Sequence, residues 1–232
     1  MKDFVPTRKS RVRREPERAH YDRETVFGIL DAGIICHIGY VIDGEPYVTP
    51  TCYWREGEQI YWHGSSASRM LRAQTKGIPV CLTVTHLDGL VIARSAFRHS
   101  INYRSVMAFG HAELVSDTDE RNLALDRFVD RFYPGRSTQI RPGNPQELKA
   151  VSLMRMTIEE VSAKSRSGPP LDADEDLELP YWAGLVPIRT VIDEIVTDPR
   201  TPKADKPASL DAYEAGGELG NVLTAVYDGD AG

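Results

Sequence analysis

Alternating apolar and polar positions run through the middle of the chain and predict a series of short strands. Segments 34–42 and 46–54 are rich in β-branched and aromatic residues, and Asp43-Gly44 between them is a strong hairpin signal. Pro46 suits the first position of its strand, where a missing backbone donor is tolerated. Further strands are predicted at 59–63, 80–87, 103–115 and 154–158, and 161–165 is interpreted as a continuation of the last. The first three segments form a meander.

Apolar residues recur with a helical period in three places. Asp22 is a candidate N-cap for a short helix that ends at Gly33. A second helix is predicted at 65–76, and the clearest one at 116–133, where apolar residues share one side. Short strands in a meander, interrupted by a few helices, predict a small antiparallel barrel with helices packed outside it.

Charge and composition change towards both ends of the chain. Six of the first 14 residues are basic and one is acidic, a balance of +5, and since the whole chain carries −6, the other residues carry −11. Residues 167–180 are rich in proline and acids and predict a loop. The predicted organisation is a basic flexible arm (1–21), one domain (22–196) and an acidic, loosely ordered tail (197–232).

Composition excludes several classes of protein. With 232 residues, 41% hydrophobic and 27% charged, the chain is typical of a soluble globular protein. No apolar run is long enough to span a bilayer, and no hydrophobic stretch follows the basic N-terminus as in a secretory signal. Three widely spaced cysteines indicate a reducing compartment, so a cytoplasmic location is expected. An acidic body makes nucleic acid a poor partner, and the basic arm is interpreted as a solvated terminus.

The stretch HGSSASRML, residues 63–71, leaves a predicted strand and enters a predicted helix. Its hydroxyls, backbone N–H groups and Arg69 together suit a phosphate monoester. The alternative is an N-cap followed by an ordinary helix, since serine is a common N-cap. On the strand before it, alternation directs Thr51 and Tyr53 to one face and Cys52 and Trp54 to the other. A flat aromatic ligand could lie along that strand, and core packing explains the aromatic residues equally well.

Other catalytic signatures are missing from the sequence. The six histidines lack metal-site spacing, no Gly-x-Gly-x-x-Gly or Walker loop occurs, and no Gly-x-Ser-x-Gly elbow is found. The sequence therefore gives no support to hydrolase chemistry and none to the usual dinucleotide or nucleoside triphosphate motifs. No metal site is expected.

Four motifs in order resemble the FMN-binding split-barrel proteins of the pyridoxamine 5′-phosphate oxidase superfamily. They are the hairpin leading into PTCYW, then IYWHGSSASRML, then NYRSVMAFGHAELV, and finally SAKSRSGPP with YWAGLVP. The similarity is greatest to the branch of nitroimidazole-resistance and flavin-nucleotide-binding proteins. The resemblance implies a mainly β (α+β) fold, a six-stranded antiparallel split β-barrel with peripheral helices, and a homodimer with FMN at its interface.

The resemblance also implies which residues hold the FMN. Ser68 and Arg69 match the pair that binds the phosphate, and His63 and Gly64 match positions along the ribityl chain and phosphate. The other expected contacts are Ser65 at the phosphate, Pro50, Thr51, Cys52 and Tyr53 beside the isoalloxazine ring, and Arg104 and Ser105 from the next strand. A flavin ring also needs an apolar cover and a nearby cation, so Lys164, Arg166 and Trp182 are predicted to supply them from the partner chain. Alternatively, Trp182 packs against its own barrel.

The expected function is that of an FMN-dependent oxidoreductase that reduces a small electrophile, such as a nitro compound or a quinone, with NADH or NADPH as a possible donor. Pyridoxamine phosphate oxidation is not expected, since Met70 follows Arg69 and the oxidase's C-terminal segment is missing. One alternative is a flavin carrier without turnover. Another is haem binding or degradation, through His99 or His111. The sequence identifies no catalytic residue.

Overall fold

The structure is a computed structural model that describes residues 2–201 and 205–229. In this part of the chain, ten strands and five α-helices follow one another along the sequence. The strands are β1 (Ala19–His20), β2 (Ile35–Ile42), β3 (Glu45–Glu56), β4 (Gln59–Ser65), β5 (Pro79–Ile92), β6 (Ser100–His111), β7 (Glu113–Leu114), β8 (Val151–Thr157), β9 (Glu160–Arg166) and β10 (Gly184–Pro187). The helices are α1 (Arg23–Asp31), α2 (Arg69–Gln74), α3 (Thr118–Phe132), α4 (Pro145–Ala150) and α5 (Leu219–Gly229).

The strands form one antiparallel sheet in the order β1-β9-β6-β5-β2-β3-β4-β8-β7. Strand β10 pairs with the C-terminal residues 89–92 of β5. This confirms the mainly β, antiparallel split-barrel prediction. The six predicted strands correspond to β2, β3, β4, β5, β6 and β8, and the segment proposed as a continuation of the last is the separate strand β9. The predicted strand 103–115 is divided in the structure into β6 and the two-residue β7. Strands β1 and β10 were not predicted, because strands so short have too few residues to show alternation.

The predicted hairpin between β2 and β3 is present. Ile42 pairs with Glu45, and the two loop residues Asp43 and Gly44 have φ of 52° and 84°. Positive φ at both central positions is the type I′ geometry that matches the twist of the flanking strands, and Gly44 adopts it without steric cost.

Helix α1 packs against β3, β5, β6 and β9. Its predicted N-cap is confirmed, since the Asp22 carboxylate accepts the Thr25 N–H at 2.8 Å. At its other end the Leu30 carbonyl accepts the Tyr53 hydroxyl. A Cβ on Gly33 would lie 2.7 Å from that hydroxyl oxygen, so the chain needs a glycine just beyond the helix for this close approach.

Two apolar clusters are separated by the strands β3 and β4. The larger cluster lies inside the barrel and includes Ile38, Leu82 and Val106, each of which is at most 1% exposed. Outside it, helix α3 covers a smaller cluster built around Trp54 and Phe128. Since side chains alternate along a strand, β4 contributes to both clusters.

The N-terminal segment, predicted as a flexible arm, is packed against the barrel in the structure. Phe4 meets Phe27 of α1 edge-on with ring centroids 6.0 Å apart, and Ser10 is only 3% exposed. The Thr7 hydroxyl donates to the Glu160 carboxylate on β9. These contacts are mostly polar, which explains why an apolar pattern did not reveal them.

The C-terminal segment also packs, although a loosely ordered tail was predicted from residue 197. Leu223 of α5 is fully buried, and the Tyr213 hydroxyl donates to the Phe132 carbonyl at the end of α3. Residues 202–204 and 230–232 of the predicted tail lie outside the described part of the chain. Helix α5 rests against both α1 and α3.

None of the helices in the described residues is long and apolar enough to cross a membrane.

Candidate functional site

The turn between β4 and α2 presents several polar groups to solvent. The helix begins at Arg69, later than the predicted start at Ser65, because the preceding residues form a turn in which the Ser68 N–H donates to the Ser65 carbonyl at 2.8 Å. The Ser65 hydroxyl accepts the Ala67 N–H at 3.2 Å. The Ser68 side chain makes no capping bond, so its hydroxyl can serve an external acceptor. Gly64, which precedes the turn, lies close to Leu71 of the helix.

Arg69 is held in place by an aromatic ring rather than by a carboxylate. Its guanidinium carbon lies 4.5 Å from the centroid of the Tyr47 ring, which stacks on Tyr40. Among the residues that the structure describes, no carboxylate pairs with Arg69. Its charge is therefore positioned but not neutralised, which suits a phosphate oxygen of a ligand.

The predicted ring-binding strand divides between the surface and the core. Pro50 is exposed, and Thr51 and Cys52 are partly buried. Tyr53 is 1% exposed, and its side chain is engaged in the barrel core. Any contact between Tyr53 and a ligand outside the barrel would have to come from its backbone.

His63 lies in an aromatic slot under α3. Its ring centroid is 4.6 Å from that of Phe128 and 6.1 Å from that of Trp54, both in edge-on arrangements. Its Nδ1 is buried and has no hydrogen-bond partner in the part of the chain that the structure describes. Burial lowers the pKa of His63, so the imidazole is neutral and keeps a lone pair. An unpaired nitrogen in an apolar slot is a candidate ligand for a metal centre.

The other histidines differ in this respect. His99 and His111, the sequence-based candidates for haem binding, are exposed and bond through Nδ1 to the Ser95 carbonyl at 2.9 Å and to Glu159 at 2.7 Å. Burial also lowers the pKa of His86, but its Nε2 lies 2.9 Å from the Ile29 carbonyl. Within the described residues, no three His, Cys, Asp or Glu side chains cluster in a way that could hold a metal ion.

A second group of predicted site residues lies on β6 and β9. Arg104 forms a bidentate ion pair with Asp88 at 3.0 and 2.9 Å, and the Ser105 hydroxyl donates to the Lys164 carbonyl at 3.2 Å. The Lys164 amine donates to the Arg14 carbonyl at 2.9 Å.

Arg166, the remaining member of this group, is nearly buried. It donates to the Asn102 amide oxygen and, at 3.1 Å, to the Pro169 carbonyl. These bonds tie the 167–180 loop to β6 and β9, so the side chain of Arg166 already has a structural role.

Apart from Trp182, the predicted site residues thus form two groups, one on β3, β4 and the turn before α2, and one on β6 and β9. The structure does not bring these two groups together within one chain. Strands β5 and β2 lie between β6 and β3 in the sheet, and strands are about 4.8 Å apart. The barrel interior between them is filled by the apolar core. No hydrogen bond or ion pair joins the two groups among the described residues.

Trp182 belongs to neither group and is 70% exposed. Its indole lies close to Gly184 of its own segment, where a Cβ would lie 2.6 Å from the ring. Trp182 is therefore not buried against its own barrel, which was the alternative given by the sequence.

A cavity of about 520 Å³ that was not predicted lies between α1, β5 and α5. Its polar lining includes Asp88, Arg104, Arg189 and Glu218. Sequence spacing could not reveal it, because Asp88 faces Arg104 only through a register shift between Leu87 and Gly89.

Comparisons with known proteins add to this geometry. A family model described as pyridoxamine 5′-phosphate oxidase matches residues 22–165. Among solved structures, the chain is similar to the flavocytochrome Anf3 from Azotobacter vinelandii, with 44% identity and a TM-score of 0.86 over 92% of this chain and 100% of that one. It is also similar to the FAD and haem binding protein from Mycobacterium smegmatis, with 36% identity and a TM-score of 0.82 over 87% and 98%.

A more distant likeness is a candidate 5-nitroimidazole antibiotic resistance protein from Bacteroides thetaiotaomicron, at 21% identity and a TM-score of 0.49 over 63% of this chain and 85% of that one. No curated protein matches the chain significantly.

Proposed function

The chain belongs to the pyridoxamine 5′-phosphate oxidase family, and we propose that within this family it is an oxidoreductase that binds both a flavin and a haem. The observation that carries the proposal is the similarity, over nearly the whole chain, to a flavocytochrome and to an FAD- and haem-binding protein. Two features of this chain support it independently: a turn suited to phosphate, and a histidine suited to iron.

The turn before α2 supports the flavin. The Ser68 hydroxyl makes no capping bond, and Arg69 has no carboxylate partner within the described residues, so both can bind a phosphate group. Sequence resemblance implied FMN, whereas the mycobacterial relative is described as an FAD- and haem-binding protein. We propose FAD, with Ser65, Ser68 and Arg69 at its phosphates.

His63 supports the haem. Its buried Nδ1 has no hydrogen-bond partner among the described residues, and its pKa is lowered by burial. The rings of Trp54 and Phe128 lie edge-on to the imidazole. A neutral histidine is a common ligand of haem iron, so His63 is the residue that would hold the iron. When bound, a flavin supplies two-electron chemistry, and haem iron supplies one-electron chemistry.

A homodimer would complete the flavin site. The residues proposed to bind the phosphates and the residues on β6 and β9 lie on separate parts of the sheet. One chain therefore offers two half-sites, the first at the turn before α2 and the second on β6 and β9. Exposed Trp182 is free to cover a ring bound to a partner. The proposal is that the first half-site of one protomer meets the second half-site of the other.

The cofactor content of the purified protein tests the function directly. We expect one flavin and one haem per chain, seen as flavin absorbance together with a Soret band. The flavin released by heat denaturation should co-migrate with FAD in chromatography. Protein that takes up no flavin when titrated with FAD or FMN would contradict the proposal, and release of FMN alone would restore the resemblance-based prediction.

The dimer is tested by dilution. Trp182→Ala should weaken flavin binding without lowering the cooperativity of unfolding, because the indole is largely exposed. In sedimentation at the flavin wavelength, loss of flavin should track dissociation of the dimer. Tyr181→Ala, a neighbouring exposed aromatic residue, is the matched control. A monomer that retains its full flavin content would rule out the shared site.

The specific acceptor stays a prediction. Reduction of a nitro compound or quinone was expected from the sequence, and a flavin carrier without turnover is the alternative. Anaerobic reduction of the loaded protein, followed by addition of each acceptor, distinguishes them: only an enzyme reoxidises in repeated cycles.

A further inference from the structure

Residues 8–14 form a folded, strongly basic surface. The Arg11 N–H donates to the Thr7 carbonyl at 3.0 Å, and the Val12 N–H donates to the Tyr21 hydroxyl at 2.9 Å. Ser10 is buried beneath this segment. We call the exposed cations of the segment the basic ridge: they are Arg8, Lys9, Arg11, Arg13 and Arg14.

The five charges of the basic ridge have no carboxylate partner within the described residues. The nearest carboxylates in sequence, Glu15 and Glu17, pair with Arg18 at 3.0 and 3.7 Å. Lys9 lies over the Phe109 ring at 4.2 Å, which fixes the ridge against β6 without removing charge.

The ridge is small and stands on an otherwise acidic protein. Seven extended residues span at most about 25 Å. The five charges therefore lie within one patch that is no longer than this. The first 14 residues carry +5 and the rest of the chain −11. A field of this shape attracts a compact anion to one place and repels an extended polyanion elsewhere.

The ridge also borders the second half-site. The Arg14 carbonyl accepts the Lys164 amine at 2.9 Å, and Lys164 pairs across the sheet with Ser105. A protein docked on the ridge would therefore stand beside the residues proposed to surround the flavin.

We propose that the basic ridge is the docking surface for an acidic one-electron carrier protein that reduces the bound flavin. The proposal rests on the proposed function, which needs an electron donor. Two reduced carriers are each oxidised by one electron, and the flavin takes up both electrons with a proton from water. Complementary charge accelerates such encounters and makes them sensitive to salt.

The test follows anaerobic reduction of the cofactor-loaded full chain by a photoreduced, acidic plant-type [2Fe–2S] ferredoxin. For the natural sequence, the second-order rate constant should fall steeply as the salt concentration rises. Arg11→Glu with Arg13→Glu should lower that constant at least about tenfold at low salt. The control Lys76→Glu with Arg200→Glu makes the same charge change at two exposed sites away from the ridge and should lower it far less.

Reduction by dithionite, a small reductant, should be equally fast in all three proteins. A ridge variant that accepts electrons from ferredoxin as fast as the control variant would overturn the proposal. So would selective loss of binding to phosphatidylserine vesicles or duplex DNA with no change in ferredoxin kinetics, which would assign the ridge to that surface. A protein without flavin gives no signal in any arm, which separates failure of the function from failure of the docking site.

Discussion

Replacing His63 with phenylalanine should leave the protein without haem. Phenylalanine keeps an aromatic ring between Trp54 and Phe128, so the cluster under α3 stays filled, but it has no nitrogen to bind iron. The Soret absorbance per chain should fall to the background of free haem. Flavin content should change little, because the proposed phosphate contacts are made by Ser68 and Arg69.

Two further variants sharpen this test. His111→Phe removes an exposed histidine that bonds Glu159, and it should keep its haem. His63→Gly opens the slot, and added imidazole should restore the Soret band if the position is an axial ligand. A His63→Phe protein with a full Soret band would contradict the assignment of His63 as the haem ligand. His86 would then be the next candidate.

Replacing Arg69 with alanine should weaken binding of FMN and FAD but not of riboflavin, which lacks phosphate. A charge-assisted hydrogen bond contributes about 1.5–3 kcal/mol, so affinity for the phosphorylated flavins should fall roughly 10- to 150-fold. Fluorescence quenching of each flavin by the apoprotein measures this. Ser68→Ala should act in the same direction with a smaller loss.

Lys76→Ala is the control for Arg69→Ala, since it removes an exposed cation just beyond the other end of α2. It should leave all three affinities unchanged. An equal loss of riboflavin and FMN affinity in Arg69→Ala would mean that the substitution disturbs the stacking on Tyr47 rather than a phosphate contact.

Local patterns predicted most of the barrel. The hairpin at Asp43-Gly44 and the cap at Asp22 depend on interactions within four residues, and both are present as predicted. The helix at 116–133 was likewise visible, because one apolar stripe faces the barrel. The packing of the N-terminal and C-terminal segments was not predicted. Their packing depends on hydrogen bonds between distant residues, such as Thr7 with Glu160 and Tyr213 with Phe132, which no local pattern encodes.

The candidate site divides in the same way. The serines and Arg69 are neighbours in sequence, so the motif alone indicated a phosphate-binding turn. The role of His63 was harder to recognise: its neighbour Phe128 comes from α3, far along the chain, and only that contact shows an unpaired nitrogen in an apolar slot. His99 and His111 were equally plausible by sequence and proved to be exposed and hydrogen-bonded.

The sequence by itself determined most of the strands, the turn chemistry and the family, because alternation, glycine positions and short motifs are local properties. Only the tertiary structure decided which side chains are available. It placed Tyr53 in the core, and it placed Arg104 on β6, two strands away from β3, on whose Tyr47 Arg69 stacks. It also folded the basic residues near the N-terminus into a fixed surface. The physical reason is that availability depends on burial and on partners distant in sequence, which are settled only when the sheet closes around its core.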